Sequence, residues 1–127
     1  MYTNNLTKQV KAGNLLIGGG APVSIQSMLN VKADNIKGNV EQAKKLEAAG
    51  CEIIRVSVPD KNAVALVSAL KENVSVPIVA DIHFDYKLAV ESVAAGVDKV
   101  RINPGNIGSD DKVKQVVSAC KNAGVPI

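Results

Sequence analysis

The chain has few aromatic residues, no tryptophan and almost no arginine. Tyr2, Phe84 and Tyr86 are the only aromatic residues in 127, so the core must be aliphatic and no aromatic faces are available for stacked nucleic-acid bases. The net charge is only +3 and the lysines are dispersed, which excludes a basic nucleic-acid surface. A hydrophobic content of 46% still supports one globular domain with a buried core.

The sequence also lacks the patterns of metal binding, secretion and membrane insertion. Cys51 and Cys120 stand far apart, and together with a single histidine they cannot complete a structural metal site; we interpret both as reduced packing residues. The longest uncharged run, 12–31, contains glycines and a proline, which is not typical of a spanning helix. The N-terminus lacks the order of charge and apolarity found in a secretory signal. We therefore expect a cytoplasmic protein with no metal ligands, no membrane and no nucleic-acid partner.

Short apolar runs alternate with helical patterns along the chain. The apolar runs, at 23–28, 52–58, 77–84 and 99–104, predict buried strands. Helix starts are expected at Asp34, Asp60, Asp85 and Ser109 or Asp110, and helix stops at Gly50 and Gly96. This alternation predicts an α/β fold with a parallel sheet of the (β/α) TIM-barrel type. Residues 7–19 predict a β-hairpin that turns at Gly13–Asn14 and covers one end of the sheet.

The number of strand–helix units is about four, and residues 125–127 read as the start of a fifth strand. A complete (β/α)8 barrel has eight units and about 250 residues. We therefore expect residues 1–127 to form a single domain, the N-terminal half of such a barrel. The two edges of this incomplete sheet would be open, and open edges favour pairing with a second copy, so a homo-oligomer is expected.

Arginine is used at only two positions, and these are equivalent in an internal repeat. Arg55 and Arg101 are the only arginines among 15 basic residues, and each follows a glycine by five positions, Gly50 and Gly96. Alternate residues of a strand face the same side. Side chains at the C-terminal ends of three neighbouring strands should therefore converge, with one more from the first strand: Arg55, Ser57, Asp81, His83, Arg101 and Asn103, joined by Gln26. Barrel enzymes place their active sites at this end.

Two guanidinium groups facing one carboxylate predict a site for an anion, because arginine offers a planar fork of donors that matches phosphate oxygens. The alternative is a structural cluster in which Asp81 pairs with one arginine and leaves the other short of a partner, which is costly when buried. The loop at 103–111 is glycine-rich, but Asp110 and Asp111 in the next helix would repel an anion. We therefore assign this loop to shaping the pocket, through Asn103 and Asn106.

Four stretches together carry a family resemblance: GGGAPVSIQSM, IIRVSVPD, VPIVADIHFDY and AAGVDKVRINPGNIG. They strongly resemble the GcpE (IspG) family of 4-hydroxy-3-methylbut-2-en-1-yl diphosphate synthases, over nearly the whole chain from about Lys8 to Ile127. One departure is SMLNV at 27–31, where many members read SMTNT. Leu29 and Val31 thus replace two hydroxyl side chains of that loop.

The resemblance implies an oxidoreductase that opens the ring of 2-C-methyl-D-erythritol 2,4-cyclodiphosphate by reductive dehydration, in non-mevalonate isoprenoid biosynthesis. It implies that Arg55, Arg101 and Asn103 hold the substrate and that Asp81 and His83 line the pocket. Family members take electrons from flavodoxin or ferredoxin through a 4Fe-4S cluster, held by three Cys and a Glu of a separate C-terminal domain that closes over the partner's barrel in a dimer. Neither Cys51 nor Cys120 matches that motif, so we expect no cofactor on this chain and no activity from it alone.

Two other interpretations stay open at this point. The chain also resembles, distantly, other phosphate-binding barrel enzymes such as pterin-related synthases. It could instead be a non-catalytic half-barrel that only associates with partners, in which case Arg55→Lys and Arg101→Lys would change assembly or stability without changing anion affinity.

Overall fold

The computed structural model describes residues 7–127 and begins with a β-hairpin. Strands β1 (Val10–Ala12) and β2 (Leu15–Ile17) pair antiparallel, with Ala12 opposite Leu15. Gly13 makes the turn at φ 57°, and a Cβ there would lie 2.9 Å from an oxygen of Asp98. The hairpin predicted at Gly13–Asn14 is confirmed, and the need for glycine comes from both the backbone angle and this close approach.

A parallel sheet of four strands follows the hairpin, in the order β3-β4-β5-β6. The strands are β3 (Gln26–Met28), β4 (Ile53–Ser57), β5 (Ile78–Ile82) and β6 (Lys99–Ile102). The helices are α1 (Ile36–Ala48), α2 (Lys61–Asn73), α3 (Tyr86–Ala94), α4 (Pro104–Ile107) and α5 (Asp110–Ala123). Val100 N–H donates to Pro126 O at 3.0 Å, so the segment after α5 runs beside β6, as expected for the start of a fifth strand. Within residues 7–127 no helix has the length and apolarity needed to cross a membrane.

The main core lies between the outer face of the sheet and the helices. Ile54, Val56, Ala80, Ile82 and Val100, one parity of the strands, are buried there against the apolar face of α2, which comprises Ala63, Leu66, Val67 and Leu70. The predicted alternation is therefore confirmed for β4, β5 and β6. Because these positions are occupied by aliphatic residues, the other parity must supply whatever polar chemistry the sheet carries.

The inner face of the sheet is apolar at its N-terminal end. Ile53 and Val79 form a small buried cluster there with Ala12 of the hairpin, and Leu15 and Ile17 pack against it. The hairpin therefore covers this end of the sheet, as predicted. The polar residues of the inner face lie further along the strands, toward their C-terminal ends.

One expectation about a helix start and one about a loop are wrong. Asn35, and not Asp34, caps α1, since its Oδ1 accepts from Gly38 N–H at 2.9 Å; asparagine and aspartate cap equally well, so composition did not decide between neighbours. The segment at 103–111 is not all loop, because α4 lies within it. The predicted caps Asp60 and Asp85 are confirmed, as is the start of α5 after Ser109.

The apolar faces that the helical period predicts for the other helices are confirmed in part. On α1 the predicted residue Ala43 is buried and Ile36 is 37% exposed, whereas Asn39 is fully buried. On α5 Val116 and Cys120 are buried as predicted and Val117 is 45% exposed. On α3 the predicted residue Ala89 is buried, together with Leu88 and Ser92, which the period did not predict. Small polar residues on a helix interrupt the apolar period, so the face that packs on the sheet is only approximately readable from sequence.

Glu47, near the end of α1, ties that helix to the segment that precedes β5. Its Oε2 accepts hydrogen bonds from Ser75 N–H at 2.8 Å, Ser75 Oγ–H at 2.9 Å and Val76 N–H at 3.1 Å. The backbone hydrogen bond from Ser75 is the largest of the effects that lower the pKa of Glu47 below its ordinary value of 4.5. A hydrogen bond to the charged form stabilises that form, so the ionised carboxylate stabilises the fold.

We expect Glu47→Gln to lower the free energy of unfolding at pH 7 by about 0.5–1 kcal/mol, a small value because the carboxylate is partly exposed. A lowered folded-state pKa stabilises the protein above the ordinary pKa of glutamate, and this contribution is lost as the pH falls through the folded-state value. The difference in the free energy of unfolding between the parent chain and Glu47→Gln should therefore vanish in acid. Urea unfolding at several pH values measures it, with Glu41→Gln on the exposed side of α1 as the control; equal effects of the two substitutions would contradict the assignment.

Candidate anion-binding site

The centre of the candidate site is a buried carboxylate on a central strand. Asp81 lies in β5, whose other four residues are apolar, and its side chain is 0% exposed. An ionised carboxylate removed from water needs partners of opposite charge and hydrogen bonds to both oxygens. The neighbouring strands β4 and β6 supply these partners.

Each oxygen of Asp81 accepts from a different arginine. Arg55 donates to Oδ2 from Nε at 2.9 Å and from Nη2 at 2.6 Å, and Arg101 donates to Oδ1 from Nη1 at 3.2 Å. The expectation that one carboxylate would leave the second arginine without a partner is therefore wrong, because the two oxygens separate the two cations. The cluster of three side chains still carries one surplus positive charge.

The strand register explains how the three side chains meet. Asp81 pairs with Ser57 on one side and with Arg101 on the other, whereas Arg55 is level with Val79, two residues earlier on β5. Arg55 therefore extends along the sheet toward the C-terminal end to reach Asp81. Arg101 reaches the carboxylate directly from the adjacent position.

His83 lies just beyond the C-terminal end of β5. Its Nε2 is 4.0 Å from Oδ2 of Asp81, and its side chain is 45% exposed. The neighbouring residue Phe84 is 71% exposed, and the centroids of its ring and the His83 ring are 6.3 Å apart. The structure thus brings His83 to the edge of the cluster but gives it no direct hydrogen bond there.

The remaining predicted residues divide into two groups. Ser57 is partly buried in the same row as Asp81, and Asn103 follows β6, where its Oδ1 accepts from Gly105 N–H at 3.0 Å and caps α4. Asn106 lies exposed on α4, and Gln26 lies level with Ile53, one row nearer the hairpin than Arg55. Among the described residues no hydrogen bond joins the side chain of Asn106 or Gln26 to either arginine.

Two inner-face residues were missed by the sequence analysis. Met28 pairs with Arg55 in register, and Lys99 pairs with Val79 two residues before Arg101. Lys99 has no ion pair among the described residues, so it adds an unmatched positive charge to this face. The alternation that predicted Arg101 would also have found Lys99, had it been followed back to the start of β6.

The loop between β3 and α1 is held by residues other than the two hydroxyls that many family members carry. Leu29 is 6% exposed in the main core, and its N–H donates to Arg55 O at 3.0 Å. Gln42 accepts from Asn30 N–H at 3.1 Å and donates to Asn30 Oδ1 at 2.8 Å. The substitution by leucine is thus compensated by apolar packing, and the loop keeps its polar contacts through Asn30.

The described residues do not fit an iron–sulfur cluster. Among residues 7–127 no group of three or more His, Cys, Asp or Glu is placed to hold a metal ion. Cys51 and Cys120 are both buried and free, and burial raises the pKa of the Cys120 thiol. A raised pKa disfavours the thiolate of Cys120 that iron and zinc require. Both cysteines are buried without a disulfide, which agrees with their prediction as packing residues.

The sequence of the chain is similar to one family of barrel domains. The family model of the GcpE TIM-barrel domain matches residues 7–127. The chain belongs to the GcpE family. A 4-hydroxy-3-methylbut-2-en-1-yl diphosphate synthase (flavodoxin) from Caldicellulosiruptor saccharolyticus is 55% identical over 122 residues, and one from Dehalococcoides mccartyi is 48% identical over 127.

The match to these relatives covers most of this chain but only part of theirs. It covers 96% and 100% of this chain, and 35% and 36% of the two relatives. The chain therefore spans about a third of the length of the curated relatives it matches. The same holds for the Bacillus mycoides synthase, which is 50% identical over 127 residues; the match covers 35% of that relative.

Solved structures of similar shape include dihydropteroate synthases. The Yersinia pestis enzyme gives a TM-score of 0.69 at 19% identity and covers 92% of this chain and 44% of its own. The Xanthomonas albilineans enzyme gives a TM-score of 0.70 at 15% identity, and the match covers 94% of this chain and 48% of that enzyme's chain. At this level of identity the likeness shows the fold alone, and it confirms the barrel-type architecture predicted from the sequence.

We expect Leu29→Thr to destabilise the fold by about 1–3 kcal/mol, because it removes apolar surface from the core and places a hydroxyl there. Val31→Thr is the matched control: this residue is only partly buried and lies outside the main core, so it should change stability little. Thermal unfolding of both variants measures the difference. Equal stability of the two would show that the hydroxyl at position 29 is accommodated.

Proposed function

We propose that the chain is the substrate-binding barrel part of a 4-hydroxy-3-methylbut-2-en-1-yl diphosphate synthase and that its arginine pair binds the diphosphate of 2-C-methyl-D-erythritol 2,4-cyclodiphosphate. The observation that carries this proposal is the Arg55–Asp81–Arg101 cluster at the C-terminal ends of adjacent strands, in a chain of the GcpE family. Asn103, Ser57 and His83 complete the lining of the site on this proposal. Asn106 and Gln26 are left as residues of its surroundings.

The charge and exposure of the cluster support binding of an anion. Asp81 is fully buried, while the side chains of Arg55 and Arg101 are 29% and 46% exposed. The carboxylate is thus shielded from a ligand and the guanidinium groups are not. Arginine donors aimed at a partly dry face bind phosphate oxygens more strongly than they would in water, and Lys99 adds to the positive potential.

The redox part of the reaction is assigned to residues outside the described chain. On this proposal the full-length enzyme uses a 4Fe-4S cluster and a flavodoxin or ferredoxin reductant; the curated relatives are named as flavodoxin-dependent. Because the residues at 7–127 do not fit a cluster, their part is to bind and orient the cyclic diphosphate. A cytoplasmic location and the dimer of the full-length enzyme stay predictions from the sequence.

We expect the chain to bind the cyclodiphosphate and not to convert it. Isothermal titration calorimetry should show binding that weakens as salt is added, because added ions screen partly exposed charges, and incubation with dithionite should give no product. A pterin pyrophosphate is the comparison ligand, since the solved structures of similar fold are dihydropteroate synthases. Tighter binding of the pterin would favour a pterin-related synthase. Product formation would contradict the proposal that the redox step needs residues other than those at 7–127.

We also expect the chain to self-associate in solution. Strand β3 lies at one edge of the sheet, with no further strand beside it among the described residues, and apolar side chains at Val23, Ile25 and Met28 are exposed there. Unpaired strand edges with apolar neighbours favour pairing between chains. Sedimentation velocity over a range of concentrations measures this. A clean monomer at the highest concentration would contradict it, and Ile25→Lys should weaken association more than Val117→Lys on exposed α5.

A further inference from the structure

The inner face of the sheet carries three apolar residues on the described strands, and they differ in exposure. Ile53 and Val79 are 1% and 2% exposed, because the hairpin packs on them. Met28 lies on the same face, in register with Arg55, and is 42% exposed. Within residues 7–127, Met28 is therefore the apolar side chain of the inner-face strand positions that stays open to a ligand.

Met28 lies next to the Arg55–Asp81–Arg101 cluster. The strand register pairs it with Arg55, and the N–H of the following residue, Leu29, donates to Arg55 O at 3.0 Å. Neighbouring strands are about 4.8 Å apart, so the side chains of Met28 and Arg55 start side by side on one face. Arg55 continues from there to Asp81. The cationic cluster thus has an apolar neighbour on the side of β3.

This combination of charge and apolar surface indicates the chemistry of the ligand. Removing apolar surface from water is favourable, and the unbranched thioether of methionine adapts to an irregular apolar shape. An inorganic anion satisfies the cations but leaves Met28 in water. A ligand whose phosphates are attached to a carbon skeleton matches both parts of the face.

We propose that Met28 contacts the carbon skeleton of the ligand and gives the site its preference for an organic cyclic diphosphate over inorganic diphosphate. The thioether packs on this assignment against the methyl-bearing carbons of the cyclodiphosphate. The inference rests on the proposed function of the same site and adds the residue that contacts the uncharged part of the substrate.

Met28 also lies on a strand at the edge of the described sheet, where a second chain could pair. Pairing at such an edge uses backbone groups, which leaves the inner-face side chain directed to the site. Ile25, one residue before β3 and of the opposite parity, is 62% exposed. It is the matched position for apolar exposure at the edge without a place on the inner face.

Two ligands separate contact with carbon from contact with phosphate. In isothermal titration calorimetry at low ionic strength, Met28→Ala should weaken binding of the cyclodiphosphate about 4- to 15-fold, the loss of contact with one or two methylene groups. The same substitution should change the affinity for inorganic diphosphate by less than about 2-fold, because that ligand has no carbon to contact.

Met28→Leu and Ile25→Ala are the controls. Leucine keeps an apolar side chain of similar volume, so Met28→Leu should retain the cyclodiphosphate affinity within about 3-fold. Ile25→Ala removes an exposed apolar side chain from the same edge and should change neither affinity. Thermal unfolding checks that each variant keeps its fold, which we expect because Met28 belongs to neither buried cluster.

The chain contains two methionines, Met1 and Met28, which allows a direct spectroscopic readout. In a ¹H–¹³C spectrum of the chain labelled at the methionine methyl groups, Met28→Leu assigns the signal of Met28. Saturating cyclodiphosphate should shift this signal, and saturating inorganic diphosphate should shift it much less. A residue with a purely structural role would respond to both ligands alike or to neither.

The outcomes distinguish the inference from the proposed function. Equal losses of affinity for the two ligands, or an unchanged cyclodiphosphate affinity in Met28→Ala, would overturn the inference and leave the proposed function intact. A Met28 signal that responds to protein concentration and not to the cyclodiphosphate would overturn it as well, because the residue would then belong to a contact between chains. Absence of cyclodiphosphate binding by the parent chain would reject both.

Discussion

The buried carboxylate of Asp81 is the interaction on which the site depends. It lies on β5 between β4 and β6, so a single acid reaches cations on both neighbouring strands. Its burial would be prohibitive without them. The arginines are in turn oriented by their hydrogen bonds to it. The outer face of the sheet takes no part in these ion pairs. Its aliphatic core packs the strands in the register that brings Arg55, Asp81 and Arg101 together.

Much of this arrangement could be predicted from the sequence. Period-2 alternation placed Arg55, Asp81 and Arg101 on one side of the sheet, because buried parallel strands leave little freedom in which side chain faces the helices. The turn at Gly13 and the caps Asp60 and Asp85 were predictable from local chemistry alone. These features depend on residues close in sequence or on strict periodicity.

What escaped prediction depends on contacts between distant segments. The register of β4 against β5 places Arg55 level with Val79 and not with Asp81, and no pattern within one strand reports this offset. Arg55 makes two hydrogen bonds to Asp81 and Arg101 makes one, and this inequality is not visible in a repeat that makes the two arginines equivalent. Asn39 and Leu29 are similar cases: a buried asparagine on α1 and a leucine in place of a hydroxyl make sense only beside the elements they pack against.

The hairpin has a consequence for the position of Arg55. Val79, which packs with Ile53 against the hairpin, lies two residues before Asp81 on β5, a distance of about 7 Å at the rise of a parallel strand. Arg55 is level with Val79 and donates to Asp81, so its side chain spans that distance from the covered end of the inner face to the carboxylate. The packing of the hairpin and the position of the Arg55 guanidinium are therefore linked through two residues of one strand, Val79 and Asp81.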